Sequence, residues 1–478
     1  MDVNISDYLQ RQVALGKQRL KRYVISSSGR VYPKRYIYVK TEQYLRRFLG
    51  GNTDEKRWVI IPGLRGTGKT TILAQTYYVL ADTYGDAIHL LYFSLNEAVD
   101  TIGASLLEVL AEYERQIGES YETLTKPMVL LIDEVQSDSK WAPVLKSLNE
   151  RSVNTFIICS GSSAVHQQDD SDISGRRAAV ERLYPMSFCE YEMVNFDNYP
   201  IGGLKRSLES ALYSARTATE CYMWLKSQEM HVDQHWSAVE RVHWRQYVGT
   251  GSLPFALTER SVEDIYDAVL SSVDKVVTKD IQQLGKFDAE TIPVIKRLLY
   301  ILAESDAISI QKLKDLLKIS PITITNVHDV LVQAELLIRV PPQGSQAAIA
   351  RKPAKYLFMS SVVRAAFYHL AGSGSTTATR EGRLLEDVAG LHYYRLLRGM
   401  RQGGLTYDSA AGGADFILKT AASQIAVEIG RGTKDAAQVV STMQRIPCKY
   451  GLVVSETPLG LAATDTVVMV PWKFFALM

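Results

Sequence analysis

A glycine-rich segment in the first part of the chain has the residue types that bind phosphate groups. Residues 63–70 read GLRGTGKT, which fits the pattern G-x4-G-K-[ST] without deviation. Glycines let the main chain wrap so tightly that its N–H groups point at phosphate oxygens, and a helix that follows presents its positive end to the same charge. We therefore predict a nucleoside triphosphate site. Its predicted binding residues are Gly63, Arg65, Gly66, Thr67, Gly68, Lys69, Thr70 and Thr71.

Two acids at the end of an apolar run complete this chemistry. Residues 128–132 are apolar and lead into Asp133 and Glu134. A strand buried on both faces holds acids only at its carboxyl end, where α/β sheets bind ligands. We predict that Asp133 and the Thr70 hydroxyl hold Mg²⁺, and that Glu134 orients and polarises the attacking water while Lys69 contacts the β and γ phosphates. The alternative is that the two acids are merely solvated.

A further polar cluster, Ser-Gly-Ser-Ser at 160–163, ends another apolar run. Ser160 lies where a sensor of the γ phosphate would be, so we predict a catalytic role for it. Small polar residues also simply end strands, and that interpretation stays open.

The elements that would position these residues alternate between apolar strands and helices over about residues 57–165. Such a pattern predicts a doubly wound α/β domain with a parallel sheet covered on both faces. The predicted strands are Trp58–Ile61, Ala87–Ser94, Met128–Ile132 and Thr155–Cys159, and the predicted helices are Thr70–Thr83, Thr101–Ile117 and Trp141–Asn149.

Farther along, residues 200–285 read as helical, and residues 290–345 have the pattern of a winged helix. The predicted elements are helices Pro293–Ala303, Gln311–Leu317 and Pro321–Gln333 and a strand Leu336–Val340. The third helix would offer Thr323, Asn326 and His328 to nucleic acid. It has no Lys or Arg, although the preceding helix region carries Lys312, Lys314 and Lys318. DNA reading and protein binding both remain open for this region.

A second α/β pattern follows a stretch of Gly, Ser and Thr at 372–377, which we interpret as a linker. It consists of a helix, three strands, a second helix and two more strands. The predicted ranges are Gly382–Leu397, Leu405–Tyr407, Ala414–Leu418, Gln424–Ile429, Lys434–Gln444, Tyr450–Val454 and Thr466–Val470.

The whole chain limits the class of protein. Its 478 residues are enough for two to four domains, and 46% hydrophobic with 22% charged residues is typical of soluble globular proteins. The net charge of +2 gives no overall attraction to nucleic acid or membrane. The first fifty residues are nevertheless basic, with tyrosines interspersed. They are either a nucleic-acid contact or a solvated amphipathic helix followed by a strand.

The four cysteines are far apart, which argues against a zinc ribbon or a disulfide scaffold and favours a reducing compartment. The N-terminus lacks the apolar core of a signal peptide, and no apolar run approaches the roughly 20 residues that span a bilayer. We therefore expect a cytoplasmic protein without membrane contacts.

Short segments throughout the chain resemble a group of prokaryotic AAA+ (P-loop) ATPases in which the ATPase module is followed by a winged helix and a restriction-endonuclease-like domain of the PD-(D/E)xK type. The segments are DEVQ at 133–136, Trp141, LKSL at 145–148, SGSS at 160–163, GR at 175–176, LYPMSF at 183–188, GSLP at 251–254, KDI at 279–281, 353–358, LLE at 384–386, ADF at 414–416, VEI at 427–429 and VPW at 470–472.

The resemblance implies ATP hydrolysis with ATP and Mg²⁺, and a homo-oligomeric ring, for example a hexamer. In such rings an arginine of one subunit completes the next subunit's site. Arg176 is the first candidate, followed by Arg177 and Arg182; the alternative is that these are surface arginines. The implied domains are a basic N-terminal lead-in (1–50), the ATPase core (51–198), a helical subdomain (199–288), the winged helix (289–370) and the nuclease-like domain (371–478).

The nuclease-like half carries acids in the order that the resemblance requires: Glu386 on a helix, then Asp415 and Glu428 on successive strands. A hairpin-length gap separates the last two, and we expect it to bring both carboxylates to one metal ion. Gly430 stands where an E-x-K arrangement has lysine, and we expect Lys434 to begin the next helix instead. The domain is either a competent nuclease or a degenerate, structural or DNA-binding remnant.

Three functions remain in view. The first is ATP turnover coupled to remodelling or translocation on DNA. The second is a regulatory ATPase switch that binds a protein partner. The third is an ATP-gated nuclease. Dependence of ATP turnover on DNA separates the first two, and Mg²⁺-dependent nicking that needs Asp415 or Glu428 would establish the third.

Overall fold

The computed structural model describes residues 4–52, 56–162, 178–259, 261–281, 287, 290–305, 307–345, 349, 352–371, 375–398, 403–420 and 423–478. The chain divides into two compact units, Met1–Tyr184 and Pro185–Met478. Each unit has its own sheet or sheets.

The first unit contains a five-stranded sheet in the order β2-β3-β4-β1-β5, in which every neighbouring pair is parallel. Its strands are β1 Trp58–Pro62, β2 His89–Ser94, β3 Met128–Asp133, β4 Thr155–Gly161 and β5 Ala178–Val180. Its helices are α1 Ile5–Val24, α2 Tyr36–Leu49, α3 Lys69–Tyr84, α4 Leu95–Ile102, α5 Leu106–Ile117 and α6 Trp141–Arg151. The parallel sheet and the P-loop α/β fold that the sequence predicts are both present.

Side chains on the two faces of this sheet enter different cores. Trp58 and Ile60 of β1 pack in one cluster with residues of α5 and α6, whereas Val59 and Ile61 pack in the other with residues of α3. Successive residues of a strand point to opposite faces, so a strand covered on both sides is apolar throughout. This is why the central strands read as uninterrupted apolar runs.

One predicted helix, Thr101–Ile117, is in fact parts of two. Helix α4 ends at Gly103, which has a left-handed φ of 65°, and α5 begins with a capping box between Ser105 and Glu108. The glycine ends the first helix and the capping box begins the second, so the chain changes direction between them. Strand β5 was not predicted, because three residues are too few to show a pattern.

The N-terminal segment forms two helices, whereas the sequence suggested a helix and a strand. Leu9 and Leu20 of α1 are buried in the two cores of the first unit. Several of its bases form ion pairs with acids of the same unit: Lys17 with Asp82, Arg19 with Glu97 and Lys40 with Glu181. These bases therefore have partners within the fold.

The second unit begins with a helical region and continues into three helices and a hairpin. Its first helices are α7 Phe188–Phe196, α8 Leu204–Ser214, α9 Ala218–Trp236, α10 Arg241–Gln246 and α11 Val262–Lys275. The next elements are α12 Thr291–Ala303, α13 Ile310–Leu317, α14 Pro321–Gln333 and the antiparallel strands β6 Leu337–Val340 and β7 Lys355–Phe358. The predicted helices of this region are confirmed to within two residues at each end. Strand β7, the second strand of the hairpin, was not predicted.

The unit ends in a six-stranded sheet in the order β12-β13-β11-β10-β9-β8. Its strands are β8 Gly404–Thr406, β9 Phe416–Lys419, β10 Gln424–Ile429, β11 Tyr450–Ser455, β12 Gly460–Leu461 and β13 Val467–Pro471. The accompanying helices are α15 Ser361–Ala371, α16 Thr377–Arg398, α17 Ala437–Arg445 and α18 Trp472–Phe475. Strands β9 and β10 are antiparallel, whereas β10, β11 and β13 run parallel to one another. Strand β12 and helix α18 were not predicted.

Within the part of the chain that the structure describes, no helix is both long and apolar enough to cross a membrane. The four cysteines are free thiols.

Candidate functional site

The glycine-rich loop lies between β1 and α3, at the carboxyl end of a central strand of the first sheet. Gly66 and Gly68 have φ values of 83° and 95°, in the left-handed region that favours glycine. A Cβ on Gly63 would overlap the carbonyl oxygen of Leu183. Main-chain crowding and main-chain torsion thus both require glycine in this loop.

Lys69 begins α3, and its side chain turns back over the loop. Its Nζ donates hydrogen bonds to the carbonyl oxygens of Gly63 (2.9 Å) and Leu64 (3.1 Å). The Thr67 hydroxyl donates to the same oxygen of Leu64 at 2.8 Å. The ammonium is therefore held within the curve of the loop, where a polyphosphate bound by the loop would lie.

Asp133 connects three elements at this point. The Thr70 hydroxyl of α3 donates to its Oδ2 at 2.6 Å, and the Ser160 hydroxyl of β4 donates to its Oδ1. Burial and the adjacent charge of Glu134 raise the pKa of Asp133, while the hydrogen bonds from Ser160 and Thr70 act in the opposite direction. The structure thus brings together the predicted metal ligands and the predicted sensor.

The oxygen atoms around Asp133 fit a magnesium ion. Mg²⁺ prefers hard oxygen ligands and is commonly held by one or two protein groups together with substrate phosphates and water. Because the Thr70 hydroxyl and the Asp133 carboxylate are within hydrogen-bonding distance of each other, one ion near both atoms would bind both. Thr71 lies in the first turn of the same helix and is half-buried.

Glu134 follows β3 and has a left-handed φ of 56°. Gln136 donates a hydrogen bond from its Nε2 to Glu134, and its Oε1 accepts one from the main-chain N–H of Ser162 at 3.2 Å. Arg65 of the loop lies nearby, with its Nη2 3.9 Å from Oε2 of Glu134. Gln136 belongs to the same DEVQ segment as the two acids, but no pattern in the sequence predicts its role.

Arg35 is a second residue that the sequence analysis missed. Its side chain is buried, and its two terminal nitrogens donate to the carbonyl oxygens of Thr67 (2.6 Å) and Tyr184 (2.9 Å). The guanidinium therefore supports the loop from outside. In the sequence, Arg35 stands out only as one of the bases of the N-terminal stretch. That position suggested that its side chain contacts solvent or nucleic acid.

Of the arginines predicted to act on a neighbouring subunit, Arg176 and Arg177 lie outside the residues that the structure describes. Arg182 is half-buried and lies just after β5. The role of an arginine from a neighbouring subunit stays a prediction.

Helix α14 presents a different surface from the one expected. Asn326 is exposed and Thr323 is half-buried, but His328 is only 3% exposed and stacks on Tyr356 with ring centroids 4.3 Å apart. Burial, with a smaller effect of the Arg339 charge, lowers the pKa of His328 to about 4. The expectation that His328 contacts nucleic acid was therefore wrong, because its ring belongs to the core.

The three acids of the C-terminal domain, Glu386, Asp415 and Glu428, lie together in the second unit. The main-chain N–H of Asp415 donates to Oε2 of Glu428 at 3.3 Å, and Lys355 of β7 forms ion pairs with both Glu386 and Asp415, 3.2 Å from the latter. Burial and the charge of Asp415 raise the pKa of Glu428 to about 7, against the opposing effect of Lys434. No pattern in the sequence connects Lys355 with this group.

Lys434 also differs from its expected position. The helix that it was expected to begin starts at Ala437, and the Lys434 ammonium forms an ion pair with Glu428. A Cβ on Gly430 would overlap the Lys434 side chain. The glycine therefore leaves the space through which Lys434 reaches the acid.

Comparison with protein families identifies two regions of this chain. A model described as "AAA domain" matches residues 55–192, which contain the glycine-rich loop, Asp133 and Glu134. A model of the MarR family matches residues 296–346, which contain α13 and α14.

One curated relative matches along the whole chain. The uncharacterized protein MJ1637 of Methanocaldococcus jannaschii is 31% identical over 483 residues, which cover 100% of this chain and 94% of that protein.

Several solved structures are similar at low identity. The Aeropyrum pernix Orc1 protein, solved in complex with DNA, is 12% identical, covers 73% of this chain and 96% of its own, and has a TM-score of 0.33. C. elegans PCH-2 is 14% identical over 66% of this chain and 72% of its own, with a TM-score of 0.27. AMPPCP-bound DnaA from Aquifex aeolicus is 12% identical over 62% of this chain and 96% of its own, with a TM-score of 0.25. At such TM-scores these likenesses carry no functional inference.

Proposed function

Because this chain belongs to the family of the Methanocaldococcus jannaschii protein MJ1637 and contains an AAA domain, we propose that it is an AAA+ ATPase that couples ATP turnover to remodelling or translocation on nucleic acid. Its ATP would bind at the loop 63–70.

The hydrogen bond between Thr70 and Asp133 is the observation that carries the ATPase proposal. The loop residue and the strand acid are 63 positions apart in the sequence, yet the fold brings their oxygen atoms to 2.6 Å. In P-loop NTPases these two kinds of residue hold Mg²⁺. When bound, the ion supplies positive charge beside the β and γ phosphates.

The other groups of the site have separate roles in ATP hydrolysis. Main-chain N–H groups of the loop and the Lys69 ammonium bind the phosphate oxygens, and they stabilise negative charge in the transition state. Glu134 accepts a proton from the attacking water and orients it. The Ser160 hydroxyl donates a hydrogen bond to Asp133, which places Ser160 at the proposed metal site, where it senses the γ phosphate.

We further propose that the active form is a homo-oligomeric ring, as in other AAA+ proteins, in which Arg176 of one subunit reaches the ATP of the next. Mixing two inactive variants tests this. Subunits with Arg176→Ala and subunits with Glu134→Gln should regain turnover together, since a mixed interface can contain an intact site. Failure to complement, or a monomeric mass with nucleotide bound, would contradict the ring.

Nucleic acid as the partner is supported by the MarR family match and by exposed polar groups on this region. Lys312, Lys314 and Lys318 are exposed on and just after α13, and Asn326 is exposed on α14. Lysines of this kind neutralise phosphates, and an exposed amide can contact base edges.

A second candidate is a nucleotide-dependent switch that binds a protein partner. It is favoured by the surface of α14, which has no Lys or Arg, presents Ile322 at 74% exposure and carries exposed Asp329. An exposed apolar side chain and an exposed acid on one helix suit a protein surface better than a phosphate backbone.

ATP turnover measured with duplex, branched and single-stranded DNA, and without DNA, separates the two candidates. Stimulation by DNA that is lost when Lys312, Lys314 and Lys318 are changed to Gln supports the first. The matched control is Lys226→Gln, a surface lysine on α9 that pairs with Glu229. Turnover that is indifferent to every DNA supports the switch.

A further inference from the structure

A buried lysine lies in the C-terminal acid cluster, the group formed by Glu386, Asp415 and Glu428. Lys355 comes from β7, 60 residues before Asp415, and its side chain is only 8% exposed. Its ammonium forms ion pairs with Glu386 and Asp415. An ammonium removed from water needs such partners, because burial of an unpaired charge is very costly.

The rest of the cluster is held in the same way. The main-chain N–H of Ile429 donates to Oδ2 of Asp415 at 3.0 Å. Glu428 accepts the N–H of Asp415 and forms its own ion pair with Lys434. All three carboxylates thus contact an ammonium group, and two of them also accept main-chain hydrogen bonds.

This arrangement does not fit the divalent cation that a nuclease site of this type holds. Mg²⁺ needs near-octahedral oxygen ligands at about 2.0–2.1 Å. An ammonium among the same oxygens occupies the space that the ion would need and neutralises the carboxylate charge that would attract it. Across the described ranges, no group of three or more His, Cys, Asp or Glu side chains is placed to hold a metal ion. The carboxylates are present, but each of them contacts one of the two lysines.

We propose that Lys355 takes the place of the divalent cation, so that the C-terminal acid cluster is a lysine-stabilised site that binds no Mg²⁺ and supports no cleavage of DNA. This inference is independent of ATP hydrolysis, which uses other residues. It also has a structural consequence: one side chain joins β7 of the hairpin to helix α16 and to Asp415, the residue just before β9.

Mn²⁺ binding to the full-length protein tests the proposal. Free Mn²⁺ is followed by electron paramagnetic resonance without nucleotide, and every variant carries Asp133→Asn to remove binding at the ATP site. The chain with Lys355 should take up no Mn²⁺. Lys355→Met, which keeps the length of the stem and removes the charge, should take up one ion per chain, and adding Asp415→Asn should abolish this uptake.

Matched controls separate the site from general effects. Lys352→Met changes an exposed lysine three positions earlier and should bind no Mn²⁺. Lys355→Met should also have a lower melting temperature than the parent, and Mn²⁺ should raise it again, whereas Mn²⁺ should leave the melting temperature of Lys352→Met unchanged.

The outcomes are decisive even if Lys355→Met fails to fold. Mn²⁺ uptake by the chain that retains Lys355, lost with Asp415→Asn, would overturn the proposal, as would Mg²⁺-dependent nicking of supercoiled DNA that requires Asp415. A folded Lys355→Met variant that takes up no ion would also overturn it. Absence of both uptake and nicking with Lys355 present supports it.

Discussion

The side-chain amide of Gln136 donates a hydrogen bond to the carboxylate of Glu134, two residues earlier in the chain. The other atom of the same amide, Oε1, accepts the main-chain N–H of Ser162 at 3.2 Å. Gln136 thereby joins the proposed water-activating group to the chain that leaves β4. A neutral donor is suited to this position, because it orients the carboxylate without adding a second charge beside it.

Gln136→Glu should change the pH dependence of ATP turnover. A second carboxylate beside Glu134 disfavours the ionised form that accepts a proton, so the acid limb of the kcat profile should move to higher pH by about one unit. The KM for ATP should change little, since the Gln136 side chain forms its hydrogen bonds with Glu134 and Ser162. Steady-state kinetics between pH 5.5 and 9 measure both, with the surface change Gln228→Glu as the control. An unmoved profile would exclude a positioning role for Gln136.

Glu134→Gln should keep ATP binding and lower turnover by about 10²-fold or more, the scale of lost general acid–base assistance. Calorimetry measures ATP binding, and phosphate release under multiple-turnover conditions measures turnover. Lys69→Ala is the contrasting variant, because it should lose nucleotide affinity and turnover together. Hydrolysis at the normal rate by Glu134→Gln would remove Glu134 from the mechanism.

Arg35→Lys should weaken ATP binding by about two- to tenfold. The planar guanidinium reaches two carbonyl oxygens at once, and an ammonium cannot reproduce this fork, so about one hydrogen bond worth 0.5–1.5 kcal/mol is lost. Arg11→Lys, on the exposed surface of α1, should have no effect. Titration with a fluorescent ATP analogue compares the two, and equal affinities would show that the loop keeps its shape without Arg35.

His328→Phe should make the second unit less sensitive to acid. Because the pKa of His328 is lowered to about 4, the folded state binds the proton less readily than the unfolded chain does. Its contribution to stability is complete above the unfolded pKa of about 6.5, and it is lost at up to about 1.4 kcal/mol per pH unit as pH falls toward 4. Phenylalanine keeps the ring against Tyr356 and cannot titrate.

Guanidinium unfolding at pH 7.5 and pH 5 measures this difference. The midpoint of the native chain should fall more between the two pH values than that of His328→Phe. Parallel behaviour of the two proteins would mean that the folded state binds a proton at His328 as readily as the unfolded chain does.

The features that the sequence predicted well are those whose signal is local. The loop 63–70 has its full pattern in eight residues, and Asp133 with Glu134 ends an unbroken apolar strand, so both could be read directly. The break between α4 and α5 also has a local signal, Gly103 and the Ser105–Glu108 capping box. It was missed because the apolar pattern continues across it.

The features that were missed depend on distant contacts. Lys355 meets Asp415 across 60 positions, and Arg35 meets Thr67 across 32. A lone lysine or arginine has no pattern that distinguishes a buried partner from a solvated one. His328 was assigned to the surface because a histidine near an expected recognition face suits nucleic acid, whereas its place on the helix turns it toward Tyr356.

The stem of Lys434 lies where a Cβ on residue 430 would be. A side chain at position 430 would therefore displace the lysine from its present path to Glu428. A search that requires lysine two residues after Glu428 would overlook this chain entirely. Relatives with a bulkier residue at position 430 should therefore carry their basic side chain at a position other than 434. Covariation of positions 430 and 434 would show how the position of this basic side chain changed during evolution.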